Sequence, residues 1–415
     1  LLIFYLTKYH LFSDDSGNLL IGSYAALVYA VPVIGGFIAD KYLGFRKAII
    51  FGGVMLVLGH LGMAYEGNAA TQSMTGEIVR DNAALQVFYF SLSLIIVGVG
   101  FLKANISSLV GELYIAGDKR RDSGFTIFYM GINLGSFLAT IVCAWLGENY
   151  GWSYGFGAAG IGMFFGLITF ISGKRFLEGK GESKVPEFLS KNSFGVKNEW
   201  LIYIASALSA LFFWQMVQSH DAVSWILKIA GGLSFLYIVY YAVTQLSGKE
   251  RDQLIALTIL IVFTIVFWAL FEQAYTSLNL FADRILDRNV LGFELTAGQF
   301  LSFNALFIIL LAPVFAWMWV KLGKYNPNTA VKFSLALILV GLGFGSLVLG
   351  INIIKAAQKE IVAIITDKID LKNCSPEAFN YASKISGNIE YSFYDNQATT
   401  KISQPVASPG LLSEA

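Results

Sequence analysis

Two ionisable side chains interrupt apolar stretches of the sequence, in positions suited to binding a charged ligand or carrying a proton. Lys103 follows the string VGVGFL, and Glu272 follows FTIVFWALF toward the end of its stretch. A charge inside a membrane costs about 2.5–3.5 kcal/mol on insertion scales, so each residue is a candidate for function. The alternatives are a lysine that extends to the membrane interface and an interfacial carboxylate.

Aromatic and polar residues at helical spacing accompany these charges. Trp268 precedes Glu272 by four positions, and Tyr129 precedes Asn133 by the same distance, so each pair shares one face of a helix. A phenol and an amide on one face of a membrane helix suit a polar cavity better than lipid. The alternative for Tyr129 and Asn133 is an interhelical hydrogen bond, worth about 0.6 kcal/mol on average.

Two further candidates lie within apolar stretches. Asn304, in QFLSFNALFIILLAP, has the same two interpretations as Tyr129 and Asn133, and Tyr29 lies just before Pro32. Packing or a place in the interfacial aromatic belt is the alternative for Tyr29. Glycines recur within the apolar stretches, for example at Gly35, Gly98 and Gly100, and favour close helix packing.

The composition limits the class of protein that positions these residues. Hydrophobic residues make up 56% of the 415 residues and charged residues 14%, against about 25% charged residues in a soluble domain. This excludes a disordered chain, and a net charge of +1 gives no indication of nucleic-acid binding. Two cysteines and three scattered histidines predict neither a disulfide framework nor a metal site, and we expect no cofactor.

Membrane-spanning helices are the elements expected to hold the candidate residues. A span needs about 20 mostly apolar residues to cross about 30 Å of hydrocarbon. The sequence predicts ten such spans, at 19–38, 47–65, 85–110, 124–146, 152–172, 200–219, 222–246, 253–276, 298–320 and 330–353. Residues 1–12 look like the end of another span, and the absence of an initial Met predicts an incomplete chain.

The distribution of Lys and Arg predicts which loops face the cytoplasm. The basic segments are the loops after 38, 110 and 320 and the linker 173–199. All of them fall on one side if every predicted span is real, and short basic loops stay inside. The remaining loops, including the acidic segment 12–18, are then external. We therefore expect a multi-pass protein of the cell membrane, specifically of a bacterial inner membrane.

The polar linker divides the spans into two sets. The expected domains are an N-terminal helical bundle over 1–172 with a partial first helix, a cytoplasmic linker over 173–199, an extra helical hairpin over 200–246, part of a C-terminal helical bundle over 253–353, and a polar external loop or tail over 354–415. The predicted fold class is an all-α polytopic membrane protein, a truncated major-facilitator-type two-bundle fold with an extra hairpin between the bundles.

Four strings resemble one transporter family. The string GFIADKYLGFRK at 36–47 resembles the loop motif between the second and third helices of major-facilitator proteins. More specific strings resemble the proton-dependent oligopeptide transporters, namely GFLKAN at 100–105, FYMGINLGS at 128–136 and FWALFEQ at 267–273. The resemblance covers residues 1 to about 350.

The resemblance implies roles for the candidate residues. It assigns Lys103 to the peptide and proton machinery, and Glu272 to the seventh-helix carboxylate that pairs with a first-helix arginine at the outer gate. The residues implied to line the peptide cavity are Tyr29, Tyr129, Asn133, Trp268 and Asn304. The family's first-helix motif would precede Leu1, its tenth-helix glutamate is absent, and Ala305 stands where the family usually has proline. We therefore expect an incomplete copy of a transporter core.

The predicted function is proton-coupled symport of di- and tripeptides by alternating access. The alternative in the same class is transport of another small anion or metabolite, such as nitrate. An intramembrane enzyme is the alternative in a different class, but the sequence contains neither HExxH nor GxSxG. The expected partners are the peptide, protons and the lipid bilayer.

Overall fold

The computed structural model describes residues 1–115, 118, 120–286, 288–290, 292–368, 392–394 and 397–399. The chain divides into two units, residues 1–326 and residues 327–415. Ten helices of the described residues are long and apolar enough to cross a membrane, which confirms the predicted number of spans. Several of these helices extend a few residues beyond the predicted ends, because backbone hydrogen bonding continues past the apolar stretch.

The first unit contains twelve α-helices among its described residues. They are α1 (Leu2–Phe4), α2 (Asp14–Ile38), α3 (Phe45–Met63), α4 (Asn82–Glu112), α5 (Arg120–Tyr150), α6 (Trp152–Ser172), α7 (Pro186–Ser190), α8 (Asn198–Val217), α9 (His220–Thr244), α10 (Gly248–Phe271), α11 (Ser277–Arg284) and α12 (Ser302–Leu322). π-Helical turns at Tyr5–Tyr9 and Ala39–Leu43 extend α1 and α2.

Short antiparallel strand pairs and one long helix complete the architecture. The strand pairs are β1 (Thr71–Gln72) with β2 (Ile78–Val79), β3 (Asn192–Ser193) with β4 (Val196–Lys197), β5 (Asn289–Val290) with β6 (Phe293–Glu294), and β7 (Ser392–Tyr394) with β8 (Gln397–Thr399). Helix α13 (Thr329–Lys368) belongs to the second unit. It continues through 354–368, the start of the segment that we expected to be a loop or tail; apart from β7 and β8, the rest of that segment lies outside the described residues.

Helices α2, α3 and α4 pack closely because glycines remove side chains from their contact. A Cβ atom added at Gly52 in α3 would lie 2.6 Å from the Gly98 carbonyl oxygen in α4. A Cβ added at Gly35 in α2 would collide with the Gly100 carbonyl group. Small residues thus bring these helices together, as predicted for glycines within the apolar stretches.

Side-chain caps fix where two of these helices begin. Ser13 Oγ accepts a hydrogen bond from the Ser16 amide at the start of α2, at 3.2 Å. Asp81 Oδ1 accepts one from the Ala84 amide at the start of α4, at 3.0 Å. Each cap satisfies one backbone donor that the first helical turn leaves without a partner.

Helices α8 and α9 form a hairpin that lies against the N-terminal helices. Lys47 Nζ on α3 lies 2.7 Å from Glu199 Oε1 on α8. The Phe51 and Tyr203 rings stack with their centroids 5.3 Å apart. These contacts place α8 beside α3, while α9 borders α2 and α10.

The end of the span that contains Glu272 differs from the prediction. We expected a loop from residue 277, but a 3₁₀ turn at Glu272–Tyr275 leads into α11, so the loop assignment is wrong for Ser277–Arg284. The apolar pattern ends at the turn, because α11 carries polar groups that face neighbouring helices. Asn279 is buried there, and Arg284 bonds to α2.

Candidate functional site

Lys103 and Tyr29 meet where α4 packs against α2. Lys103 Nζ lies 4.0 Å from the centroid of the Tyr29 ring, over its face. The close approach of the two helices near Gly35 and Gly100 brings these side chains within reach. The contact is a cation–π interaction, of a kind worth about 0.5–1 kcal/mol at exposed sites.

The same tyrosine connects this pair to α10. The Tyr29 hydroxyl donates a hydrogen bond to Glu272 Oε1 at 3.2 Å. The Trp268 ring lies 6.4 Å from the Tyr29 ring, centroid to centroid. We call Tyr29, Lys103, Trp268 and Glu272 the charge cluster. It joins two helices that precede the linker to one that follows it.

The charge cluster is accessible rather than sealed within the packed helices. Tyr29 is 53% exposed and Trp268 is 44% exposed. The charges of Lys103 on α4 and Glu272 at the end of α10 interact electrostatically. The Tyr29 side chain contacts both groups. A ligand with a carboxylate and an amine is therefore able to approach both a cation and an anion.

Glu272 lies where α10 ends. The α-helix stops at Phe271, and Glu272 begins the 3₁₀ turn. The carboxylate of Glu272 is therefore close to the negative end of the α10 dipole, which disfavours a second negative charge. The Tyr29 hydroxyl on α2 donates to this carboxylate, and the ammonium of Lys103 on α4 interacts with it electrostatically.

The structure places the other three candidates outside the charge cluster. Tyr129 on α5 is 62% exposed, and Asn133 Nδ2 donates to the Tyr129 carbonyl oxygen of the same helix at 2.9 Å. Asn304 is exposed on α12, which packs against α5. The contacts of the described residues do not link these three to Lys103 or Glu272, so their part in a peptide site stays a prediction.

Ion pairs at the predicted outer ends of the helices were not anticipated from the sequence. Both terminal nitrogens of Arg284 on α11 bond to the Asp14 carboxylate on α2, at 2.6 and 2.8 Å. Lys8 Nζ lies 2.6 Å from Asp283 Oδ1. These contacts fasten α11 to the start of α2 and to the π-helical turn that follows α1. The only sequence signal is an acidic segment 12–18 opposite a segment that contains arginines.

A second set of contacts fastens the linker to the N-terminal helices on the predicted cytoplasmic side. We call residues 181–184 the linker strap. Arg46 Nε bonds to Glu182 Oε1 at 2.6 Å, and Lys184 Nζ bonds to Asp40 Oδ1 at 2.5 Å. The Arg46 guanidinium lowers the pKa of Glu182, and the Asp40 carboxylate raises the pKa of Lys184.

The backbone of the linker strap is seated as closely as its side chains. The Arg46 amide donates to the Gly181 carbonyl oxygen at 2.9 Å, and the Gly181 amide donates to Glu112 Oε2 at 3.0 Å. Gly44, with φ +78°, faces the strap backbone, and a Cβ at this position would lie 2.5 Å from Ser183 N. Only glycine suits this combination of conformation and contact.

The described residues include no group of three or more His, Cys, Asp or Glu side chains able to hold an ion.

Comparison with known proteins identifies the relatives of this chain. Residues 46–381 match the POT family (PTR2). The chain is 38% identical over 341 residues to a protein described as an uncharacterized transporter, YclF, of Bacillus subtilis (strain 168), with 80% of this chain and 65% of the relative covered. It is 35% identical over 346 residues to the peptide transporter YePEPT of Yersinia enterocolitica, with 80% and 64% covered. This chain thus spans just under two thirds of the length of these two curated relatives.

A solved structure shows the same fold. The crystal structure of a mutant of the peptide transporter POT in complex with alafosfalin matches with a TM-score of 0.64 and 35% sequence identity. The alignment covers 83% of this chain and 68% of that chain. The predicted fold class, a polytopic helical membrane protein of the major-facilitator type, is confirmed. The family match extends over most of the sequence, and the chain belongs to the POT family.

Proposed function

We propose that the protein imports di- and tripeptides together with protons by alternating access. The observation that carries the proposal is the charge cluster, in which Tyr29 contacts Lys103 and Glu272 at the same time. The relatives support it, because the Yersinia protein is a peptide transporter and the solved transporter binds alafosfalin. The proposal involves no chemical change of the substrate, so the protein acts as a carrier and not as an enzyme.

A short peptide matches the chemistry of the charge cluster. The ammonium of Lys103 is suited to the peptide C-terminal carboxylate, and a bond between charged groups is about twice as strong as one between neutral groups. The rings of Tyr29 and Trp268 offer apolar surface that tolerates varied side chains. Tyr129, Asn133 and Asn304 are proposed to complete the site from α5 and α12.

The proposed proton coupling rests on the contacts that the Glu272 carboxylate makes with Tyr29 and Lys103. When ionised, Glu272 accepts the Tyr29 hydrogen bond and attracts Lys103, which holds α10 close to α2 and α4. A proton on Glu272 removes its charge and weakens this attraction. A coupling of about 1.4 kcal/mol between protonation and conformation changes the ratio of the two states tenfold. The proton therefore favours separation of α10 from the N-terminal helices.

Uptake of labelled dialanine by the full-length protein in liposomes tests this function. The expected result is concentrative uptake that requires an inward proton gradient and is blocked by excess unlabelled dipeptide or tripeptide. Nitrate at the same excess should leave uptake unchanged. Nitrate uptake without dialanine uptake would replace the proposed substrate class with the alternative anion.

A further inference from the structure

A cavity of about 720 Å³ lies between α2 and α9, and none of its lining residues belongs to the charge cluster. On α2 it is lined by residues at positions 15, 18, 19, 22, 23 and 26, and on α9 by positions 220, 223, 224 and 227. Both sets follow the i, i+3, i+4, i+7 spacing of one helix face. The cavity is therefore a groove between two facing helix stripes rather than a gap in a loop.

The groove changes from polar to apolar along the helices. Asp15, Asn18 and His220 lie toward the predicted outer ends of α2 and α9, whereas Ala26 and Leu227 lie deeper. Asp15 and Ala26 are separated by about 16 Å along the helix axis, at 1.5 Å for each residue. This distance is about half of the hydrocarbon thickness of a bilayer. A polar end at the surface and an apolar end at this depth match an amphiphile.

The groove also has room for a chain. A Cβ atom added at Gly22 meets no atom of the described residues within 4 Å, so the middle of the groove has an open floor. The Ser23 hydroxyl and His220 Nδ1 lie 3.1 Å apart and connect the two helices beside this floor. The groove is thus spanned by a hydrogen bond on one side and is open along Gly22.

The polar end offers acceptors and negative charge. Asn18 Oδ1 is buried and accepts no hydrogen bond from the described residues. The Asp15 carboxylate lines the same end. Because Asn18 Oδ1 is buried, the exposed Asp15 carboxylate is the acceptor that a ligand in the groove can reach, and it favours a cation that donates hydrogen bonds. An anionic head group would meet the negative charge of Asp15.

We propose that this groove binds an aminophospholipid of the outer leaflet, with its primary ammonium at Asp15 and an acyl chain over Gly22. An ethanolamine head group supplies three N–H donors, and the Asp15 carboxylate offers two acceptor oxygens. A choline head group carries the same charge but has no N–H donor. The lipid contacts both α2 and the α8–α9 hairpin. Within the hairpin, only α9 lines the groove.

Native mass spectrometry of the full-length protein, extracted in detergent, tests this site. The protein is offered an equal mixture of phosphatidylethanolamine, phosphatidylcholine and phosphatidylglycerol with identical acyl chains. Retention of phosphatidylethanolamine should exceed that of the other two about tenfold, the effect of one charge-assisted hydrogen bond. Asp15→Asn should remove this preference, and Asp221→Asn, outside the groove, should keep it.

Filling the groove is the independent test. Gly22→Leu should reduce phosphatidylethanolamine retention to the level of the other lipids, because its side chain occupies the acyl path. Gly231→Leu on α9 also enters open space but lies outside the groove, and it should bind like the wild type. Soluble glycerophosphoethanolamine should not displace the lipid; if it does, a free amine is the ligand. Equal retention of the three lipids, or normal binding by Gly22→Leu, would overturn the proposal.

Discussion

One tyrosine ring serves both ionisable groups of the charge cluster. The face of Tyr29 lies 4.0 Å from Lys103 Nζ, and the hydroxyl of the same ring donates to Glu272 Oε1 at 3.2 Å. The electron-rich face suits a cation, and the O–H suits an anion. Because α2 carries Tyr29 while α4 and α10 carry the charges, a movement of α10 changes the surroundings of both charges at once.

Lys103→Ala removes the cation that is proposed to bind the peptide carboxylate. We expect gradient-driven dialanine uptake to fall at least about tenfold, since hydrogen bonds to charged groups contribute roughly 1.5–3 kcal/mol. Lys228→Ala is the matched control, because Lys228 Nζ also lies over an aromatic ring, 5.4 Å from the Trp225 centroid on α9. Equal loss of uptake in both variants at normal expression would contradict a specific role for Lys103.

Tyr29→Phe separates the two contacts of the ring. The variant keeps the aromatic face for Lys103 but loses the hydrogen bond to Glu272. Because the ring face that contacts Lys103 is kept, we expect peptide binding, measured by competition, to change less than about twofold. The pH dependence of uptake should shift clearly. Tyr29→Leu should weaken binding as well, and identical behaviour of both variants would show that the hydroxyl has no separate effect.

We expect the Asp14–Arg284 ion pair to help keep the outer side of the protein closed. Arg284→Asp should increase the reaction rate of an impermeant thiol reagent with Ala274→Cys, in a background carrying Cys143→Ser and Cys374→Ser. The pair is partly exposed, so we expect an increase of only about twofold to fivefold. Adding Asp14→Arg restores an opposite-charge pair and should slow the reaction again. No recovery in the double variant would show that the pair does not hold this side closed.

The pKa shifts in the linker strap define the pH range over which the strap should stay docked on the N-terminal helices. Arg46 lowers the pKa of Glu182, so its contribution to docking is present above the ordinary glutamate value of about 4.3 and is lost as pH falls through the lowered value. Asp40 raises the pKa of Lys184, so that contribution is lost only as pH rises past the ordinary lysine value of about 10.4. Docking should therefore be constant between these limits.

Hydrogen exchange of the amides at 181–184 measures this docking. At neutral pH these amides should exchange faster in Glu182→Gln than in the wild type, and the difference should shrink in strong acid. Glu187→Gln on α7 changes the same group elsewhere in the linker and should match the wild type. Equal exchange in Glu182→Gln and the wild type at neutral pH would contradict this assignment.

Sequence patterns located the charge cluster because charges are rare inside apolar spans. Lys103 and Glu272 stood out on this basis, and the spacing of Trp268 predicted its place beside Glu272. Tyr29 was the weakest of these four candidates, because a single tyrosine in a membrane helix has many structural roles. Its central position became evident only when α2 and α4 were packed together, and the glycines that permit this packing were visible in the sequence.

Pairings over long distances could not be predicted in the same way. Asp14 and Arg284 lie 270 positions apart, and Arg46 and Glu182 lie 136 apart. Charged residues in loops are common, and a single sequence does not indicate which of them meet. The continuation of the span into α11 was missed for a related reason. Its polar residues end the apolar pattern, although Ser277–Arg284 form a helix whose last residue pairs with Asp14 on α2.

Glu272→Gln imitates the protonated carboxylate. The amide keeps the size of the side chain but cannot release or gain a proton. We expect exchange of peptide between equal concentrations to continue, while acceleration by a proton gradient is lost. Glu250→Gln, at the exposed start of α10, should keep that acceleration. A normal response of Glu272→Gln to external pH would place the coupling proton on another group.

Simultaneous recording of labelled dialanine and internal pH in the same liposomes tests proton-coupled peptide symport most directly. The liposomes contain the full-length protein and a trapped pH-sensitive dye. The proposal predicts that external dialanine acidifies the interior as it enters, and that Lys103→Ala prevents both signals. Dialanine entry without acidification would contradict proton coupling, and acidification by nitrate but not by dialanine would contradict a peptide substrate.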